Sequence, residues 1–254
     1  MSVWLTGGSG LLGGELRQLL PELKVPTRAE CDITSREQVL ATARRLEPEL
    51  IVHAAAFTDV AGAESRRAAC WATNVAGTRN MVEAARESGA YLLHISTDYV
   101  FYGDTSSRES GGYREDDPPG PVRNYYALSK LAAEEVARTA PRHLIVRTSF
   151  RPRQWPYPVA YSDLYTSQDY VDVIAPELAE LIRRLPDIPY DTLHLATERK
   201  SALELARRRS PQVREASKAS AGVALPDDIT LDSSRWRGLK AQWGGQGSVG
   251  SGGR

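Results

Sequence analysis

With 254 residues, the chain is long enough for one sizeable α/β domain or for a nucleotide-sized domain with a small cap. Its 32 Lys and Arg against 32 Asp and Glu leave no net charge, so nothing in the balance recommends nucleic acid or an anionic membrane as a partner. Cys31 and Cys70 make neither a disulfide framework nor a CxxC motif. With no long apolar run and no leader pattern, the cytoplasm is the expected setting. His53, His94, His143 and His194 are scattered over expected strands without a partner at ligand spacing, so no metal site is expected.

In chain order, Val3–Thr6 reads as a short apolar strand. Leu11–Leu20 follows as a helix, with apolar residues at 11, 12, 16, 19 and 20 close to a 3.6 period. Leu23–Pro26 is the candidate second strand. Thr34 or Ser35 caps a helix over Arg36–Leu46, with Glu37 in its first turn. Leu50–His53 is a third strand. A helix from about Thr73 to Glu87 stops before Ser88-Gly89. Tyr91–Ser96 is a fourth strand, Tyr125–Arg138 a helix and His143–Thr148 a fifth strand. The pattern then loosens into residues 149–170, rich in Pro and aromatics. Val173–Leu185 reads as a helix, Thr192–Ala196 as a strand and Ser201–Arg209 as a helix, its Arg207–Arg209 run a solvated end.

Strands alternating with helices predict an α/β fold: a doubly wound parallel sheet of Rossmann type, with a small C-terminal substrate-side subdomain. Residues 1–148 form the expected nucleotide-binding half. Residues 149–240 form a reduced substrate-side region that partly returns to it, and 241–254 a Gly/Ser-rich disordered tail.

The stretch Thr6-Gly7-Gly8-Ser9-Gly10-Leu11-Leu12-Gly13 joins the first strand to the first helix. Glycines at 7, 10 and 13 permit a tight turn, close approach of a pyrophosphate and close helix–strand packing, while the helix N-terminus offers free N–H groups to the anion. An isolated glycine spacing is weak, but here it sits in the strand–turn–helix context that the chemistry requires. No acidic residue ends the second strand. Arg28 stands nearby, as either a contact for a 2′-phosphate or a surface arginine. Asp32 and Ile33 are expected to flank an adenine.

Tyr126 and Lys130 are four apart on a predicted helix and share one face. An ammonium beside a phenol lowers its pKa, so the pair can pass a proton to or from a substrate oxygen. Tyr-x-x-x-Lys alone is common on ordinary helices. Here Thr97 lies just beyond the carboxyl end of the fourth strand, where open α/β sheets bind ligands and where its hydroxyl can reach the same oxygen.

The glycine loop, Ser96-Thr97-Asp98-Tyr99-Val100-Phe101 and Tyr126-x-x-x-Lys130 together resemble the extended short-chain dehydrogenase/reductases, and within them the dTDP-4-dehydrorhamnose reductase family. Further matches are Cys31-Asp32-Ile33-Thr34, His53-Ala54-Ala55-Ala56-Phe57-Thr58, Asn74-Val75-Ala76-Gly77-Thr78 and Tyr113-x-Glu115-x-Asp117. The resemblance implies Thr97, Tyr126 and Lys130 as catalytic residues, and Ala54, Ala55, Ala56 and Thr58 along the cofactor beside Gly7, Ser9, Gly10, Leu11, Leu12 and Gly13. It implies a nucleotide-linked sugar as substrate; Arg28 and the missing acidic residue lean the cofactor to NADPH, with NAD as the other candidate, and a homodimer is the assembly considered. Related dehydratases carry Asp-Glu after the active-site Thr; here Tyr99 follows Asp98, which argues for carbonyl reduction.

Beyond Thr148 the match thins. Phe150-Arg151-Pro152-Arg153 stands where the family has a Trp-Val-Tyr-Gly-like segment, and the helix that usually follows is not expected. Arg151, Arg153 and the nearby aromatics read equally as a nucleotide diphosphate site or as a packed lid or dimer surface. Two other readings stay open: a non-catalytic NAD(P)-binding subunit, and a reductase of a smaller carbonyl compound.

Overall fold

Five parallel strands form the central sheet: Val3–Thr6 (β1), Leu50–His53 (β2), Tyr91–Ser96 (β3), His143–Arg147 (β4) and Thr192–His194 (β5), side by side in that order. The structure is a computed structural model that describes residues 1–104 and 111–246. The register pairs Trp4 with Ile51, Ile51 with Leu92, and Leu93 with Leu144. Successive side chains point to opposite faces, so each strand feeds two cores. Leu5, Val52, Leu93 and Val146 face one cluster, completed by Leu16 of Leu11–Leu19 (α1) and by Leu178 and Leu181 of Val171–Arg183 (α7). Trp4, Ile51 and Leu92 face the other, closed by Val39 of Arg36–Leu46 (α2) and Met81 of Gly77–Ser88 (α5). This is the doubly wound, Rossmann-type arrangement.

Ser35 is the cap of α2, accepting from Gln38 N at 3.4 Å. α5 stops at Gly89, whose φ of +69° no β-branched residue would accept. Before α5 come two short helices, Val60–Ser65 (α3) and Arg67–Trp71 (α4), and a single wide π turn, Ala72–Ala76, in place of a plain helical start at Thr73. Tyr125–Ala137 (α6) follows the expected bounds. Ala202–Arg209 (α8) starts with a capping box between Ser201 and Glu204.

Three expectations need correction. Leu23–Pro26 is not a full strand: only Lys24 pairs, as a bridge to Trp4 on the outer edge of β1, because Pro26 has no N–H to continue the ladder. The tail does not begin at 241: Ser234–Gln246 is a helix (α9), anchored by Trp243, whose ring meets Trp236 edge-on at 5.6 Å. Residues 247–254 of the expected tail lie outside the described residues. The Arg207–Arg209 end is ion-paired as well as solvated, with Arg209 held at 2.8 Å from Asp172 and stacked on Tyr170. Among the described residues no helix is long and apolar enough to cross a membrane.

Three imidazoles are buried in this fold. Burial pushes His53 and His194 down to about 3 and His94 well below its ordinary value. The unfolded chain takes up these protons near the ordinary value of 6.5, while the folded chain refuses them until far lower pH. Stability is therefore present above that value and lost as pH falls. Asp98, raised by burial to about 6, works in the opposite sense. The net loss between pH 7.5 and 5.5 is expected to be on the order of 3 kcal/mol, read as a lowered urea midpoint.

Candidate active site

A cleft of about 850 Å³ opens at the carboxyl ends of β1, β2 and β3, where the order of the chain reverses between Lys24 on one side of β1 and β2 on the other. Its floor is the turn between β1 and α1. Gly7 has φ +75°, and a Cβ on it would lie 2.7 Å from Ala55 N. A Cβ on Gly13 would meet Gly7 O at 2.2 Å, so α1 seats directly on the turn. Gly10 differs: a Cβ there meets only Gly7 O, at 3.3 Å, so the protein itself leaves the space open. Gly10 also caps α1 with no side chain over the first N–H groups. Ser9, Gly10 and the half-exposed Leu11 line the cleft, while the Leu12 side chain turns into the core.

At the outer end lie Arg17, Arg28, Asp32 and Ile33. Asp32 accepts from Thr34 N at 2.9 Å and Thr34 Oγ1 at 2.8 Å, and the backbone bond does most to hold its carboxyl below the usual range. Arg28 is exposed and reaches Asp32 Oδ2 at 3.4 Å. Arg17 was not singled out by the linear pattern; it reaches the cleft because the last turn of α1 lies beside Val25.

Ala54, Ala55, Ala56 and Thr58 form one wall. Ala55 N donates to Thr6 Oγ1 at 3.2 Å, Thr6 Oγ1 pairs with His53 Nδ1 at 2.9 Å, and His53 Nε2 pairs with Thr78 Oγ1 at 3.1 Å. This chain of bonds fixes the ends of β1 and β2 to α5.

Thr97, Tyr126 and Lys130 meet at the inner end. α6 starts there because Asn124 Oδ1 accepts from Ala127 N at 2.9 Å. Tyr126 and Lys130 then lie one turn apart on its buried face, 8% and 3% exposed. Lys130 Nζ donates to Ile95 O at 2.7 Å. Burial lowers its pKa to about 8, against the upward pull of Glu134 one turn on. Burial also pushes the Tyr126 phenol above its ordinary value, offset in part by the neighbouring Thr97 hydroxyl. The lysine was expected to lower the tyrosine. In the free protein Tyr126 instead stays a protonated phenol, because desolvation outweighs every stabiliser of the phenolate.

Asn74 carries no role that the sequence pattern alone assigns. The π turn turns it inward, where Nδ2 donates to Ser129 Oγ at 2.8 Å and to Phe57 O at 3.2 Å, and Oδ1 accepts from Phe57 N at 2.7 Å. It thus clamps α6 to the wall after β2. A lone Asn in an otherwise apolar helix start was the available signal.

On the open side, Tyr99 meets Tyr126 edge-on at 6.0 Å. The two arginines of the variant segment part company. Arg151 lines the cleft, its guanidinium 5.7 Å from the Trp155 ring and 5.6 Å from that of Tyr157. Arg153 turns away and grips Glu15 of α1 with two bonds of 2.7 Å. Among the described residues no group of three or more His, Cys, Asp or Glu is placed to hold a metal ion.

Residues 1–151 match the family model described as the RmlD substrate binding domain. The chain belongs to this family. Among curated relatives, the dTDP-4-dehydrorhamnose reductase of Streptomyces griseus is 43% identical over 138 residues, covering 52% of this chain and 43% of the relative. That of Mycobacterium tuberculosis H37Rv is 36% identical over 153 residues, covering 58% and 49%. The chain thus spans about half the length of the curated relatives it matches. Likeness of fold extends further. A solved hypothetical dTDP-4-dehydrorhamnose reductase from Sulfolobus tokodaii has a TM-score of 0.81 at 31% identity, over 94% of both chains. The dTDP-4-dehydrorhamnose reductase of Bacillus anthracis, solved in complex with NADP, also has 0.81, at 29% identity over 94% of this chain and 92% of that one. Both likenesses run past the stretch that the curated relatives match.

Proposed function

We propose that the protein is an NADPH-dependent reductase of a keto group on a nucleotide-linked sugar, with dTDP-4-dehydrorhamnose as the first candidate substrate. The observation that carries this reading is the convergence of Thr97, Tyr126 and Lys130 on one end of a cleft whose floor is the glycine turn. The open space at Gly10 and the uncovered N–H groups of α1 fit a dinucleotide diphosphate. Bound there, the nicotinamide would supply a hydride to the carbonyl carbon.

The chain's own residues do the rest. Ser9 to Gly13 hold the diphosphate. Asp32 and Ile33 flank the adenine, and Arg28, with Arg17 beside it, meets a 2′-phosphate, which favours NADPH over NADH. Ala54, Ala55, Ala56 and Thr58 line the cofactor. Lys130 holds the nicotinamide ribose, Tyr126 gives its proton to the substrate oxygen and Thr97 orients that oxygen. Residues 1–148 serve as the nucleotide half and 149–240 as the substrate side. We place the enzyme in the cytoplasm, with a homodimer as the assembly to test by light scattering.

The test is loss of NADPH absorbance on adding dTDP-4-dehydrorhamnose, with NADH in parallel. Turnover establishes the reading. NADPH binding without oxidation would move it to a smaller carbonyl substrate or to a non-catalytic role. Gly10→Val is expected to weaken NADPH binding at least about tenfold, since its side chain would occupy the diphosphate's space. Calorimetric titration measures this, and undiminished affinity would remove the loop from the site.

A further inference from the structure

Thr97 has one hydroxyl proton, and within the protein Asp98 claims it. Thr97 Oγ1 donates to Asp98 Oδ1 at 3.0 Å. The same hydroxyl lines the cleft beside the Tyr126 phenol, whose ionisation it favours. Its acceptor side is engaged by Tyr99 N–H at 3.3 Å. A hydroxyl donates once, so donation to Asp98 withdraws from the cleft the proton that a substrate oxygen requires there. Asp98 itself is 1% exposed, and its Oδ2 has no hydrogen-bond partner. A buried carboxylate with an unsatisfied oxygen is costly, whereas the neutral acid is cheaper to bury and gains a donor.

We propose that Asp98 is a positioning residue that works as the neutral acid, deciding which way the Thr97 hydroxyl points. Protonated, Asp98 donates to Thr97 and releases the threonine proton toward the substrate oxygen. Ionised, it retains that proton, and the cleft keeps Tyr126 as its remaining hydroxyl donor. This rests on the roles given above to Thr97 and Tyr126.

The groups around Asp98 divide as follows. Arg151, on the segment after β4, favours the carboxylate through its charge; the Thr97 hydroxyl does so through its hydrogen bond to Oδ1, and the Ser149 hydroxyl as a nearby dipole outside bonding geometry. The phenols of Tyr99 and Tyr126 face it as neutral groups whose own ionisation its charge opposes. Burial outweighs the stabilisers and carries the group to about 6, which puts both protonation states within reach of ordinary pH.

Asp98→Asn keeps the shape, donates to Thr97 through its amide and never ionises. In the wild type, kcat for carbonyl reduction is expected to fall about tenfold across the two pH units centred on 6, as one proton is lost. In Asp98→Asn that limb should vanish. A second readout needs neither substrate nor cofactor. Infrared difference titration of the free protein should show a carboxylic acid band lost near pH 6 and missing in Asp98→Asn. In Thr97→Val the band should persist to higher pH, because the carboxylate has lost its donor. A band unmoved by Thr97→Val, or a kcat limb that survives Asp98→Asn, overturns the proposal. A titration that behaves as stated, in a protein that reduces no keto sugar, overturns the reductase reading and leaves Asp98's hold on Thr97 established.

Discussion

Tyr126→Phe is expected to lower kcat for the reduction by about 10²- to 10⁴-fold, the usual worth of a positioned proton donor. NADPH affinity should stay within about twofold, because the ring remains and only a hydroxyl is lost. The structural basis is the state of the phenol. Desolvation holds it protonated in the free protein, so it can act as an acid in the reducing direction. The aromatic face against Tyr99 and the wall of α6 survive the substitution, so the melting temperature should change little. Steady-state kinetics beside calorimetric NADPH titration separate the effects. Activity within tenfold of wild type would show that another group protonates the product.

Glu134→Gln should cost about 3–5 kcal/mol of stability, the largest single-residue loss expected outside the apolar cores. Arg147 closes β4 with its side chain 1% exposed, and Glu134 on α6 is fully buried. Arg147 Nε and Nη2 donate to the Glu134 carboxylate at 3.0 and 2.9 Å. Arg147 also reaches Glu115 O at 3.4 Å and stacks over Phe101 at 5.0 Å. Removing the carboxylate strands a buried guanidinium, whereas removing both charges does not. Arg147→Met with Glu134→Leu should therefore recover most of the loss. Urea denaturation of Glu134→Gln and of the double variant measures the two changes. A single variant within 1 kcal/mol of wild type would mean that water reaches the pair. Glu134 also supports the charge on Lys130, so the single change should lower activity as well as stability.

The sequence by itself determined the sheet and the cradle. All five strands of the sheet, the cap at Ser35 and the glycine turn follow from local pattern: unbroken apolar runs, a residue that satisfies orphan N–H groups, and glycines where a Cβ would collide. The convergence of Tyr126, Lys130 and Thr97 was legible too, since helix spacing and a strand end suffice to bring them together. The tertiary structure decided what depends on partners far along the chain. It turned Asn74 inward to clamp α6, spent Arg153 on Glu15 and left Arg151 in the cleft, and buried Arg147 against Glu134. It raised the phenol that the lysine was expected to lower, and gave Asp98 its claim on Thr97. The reason is common to all of these. Propensity and periodicity are properties of neighbours in sequence, whereas desolvation and pairing are set by which distant groups exclude water together.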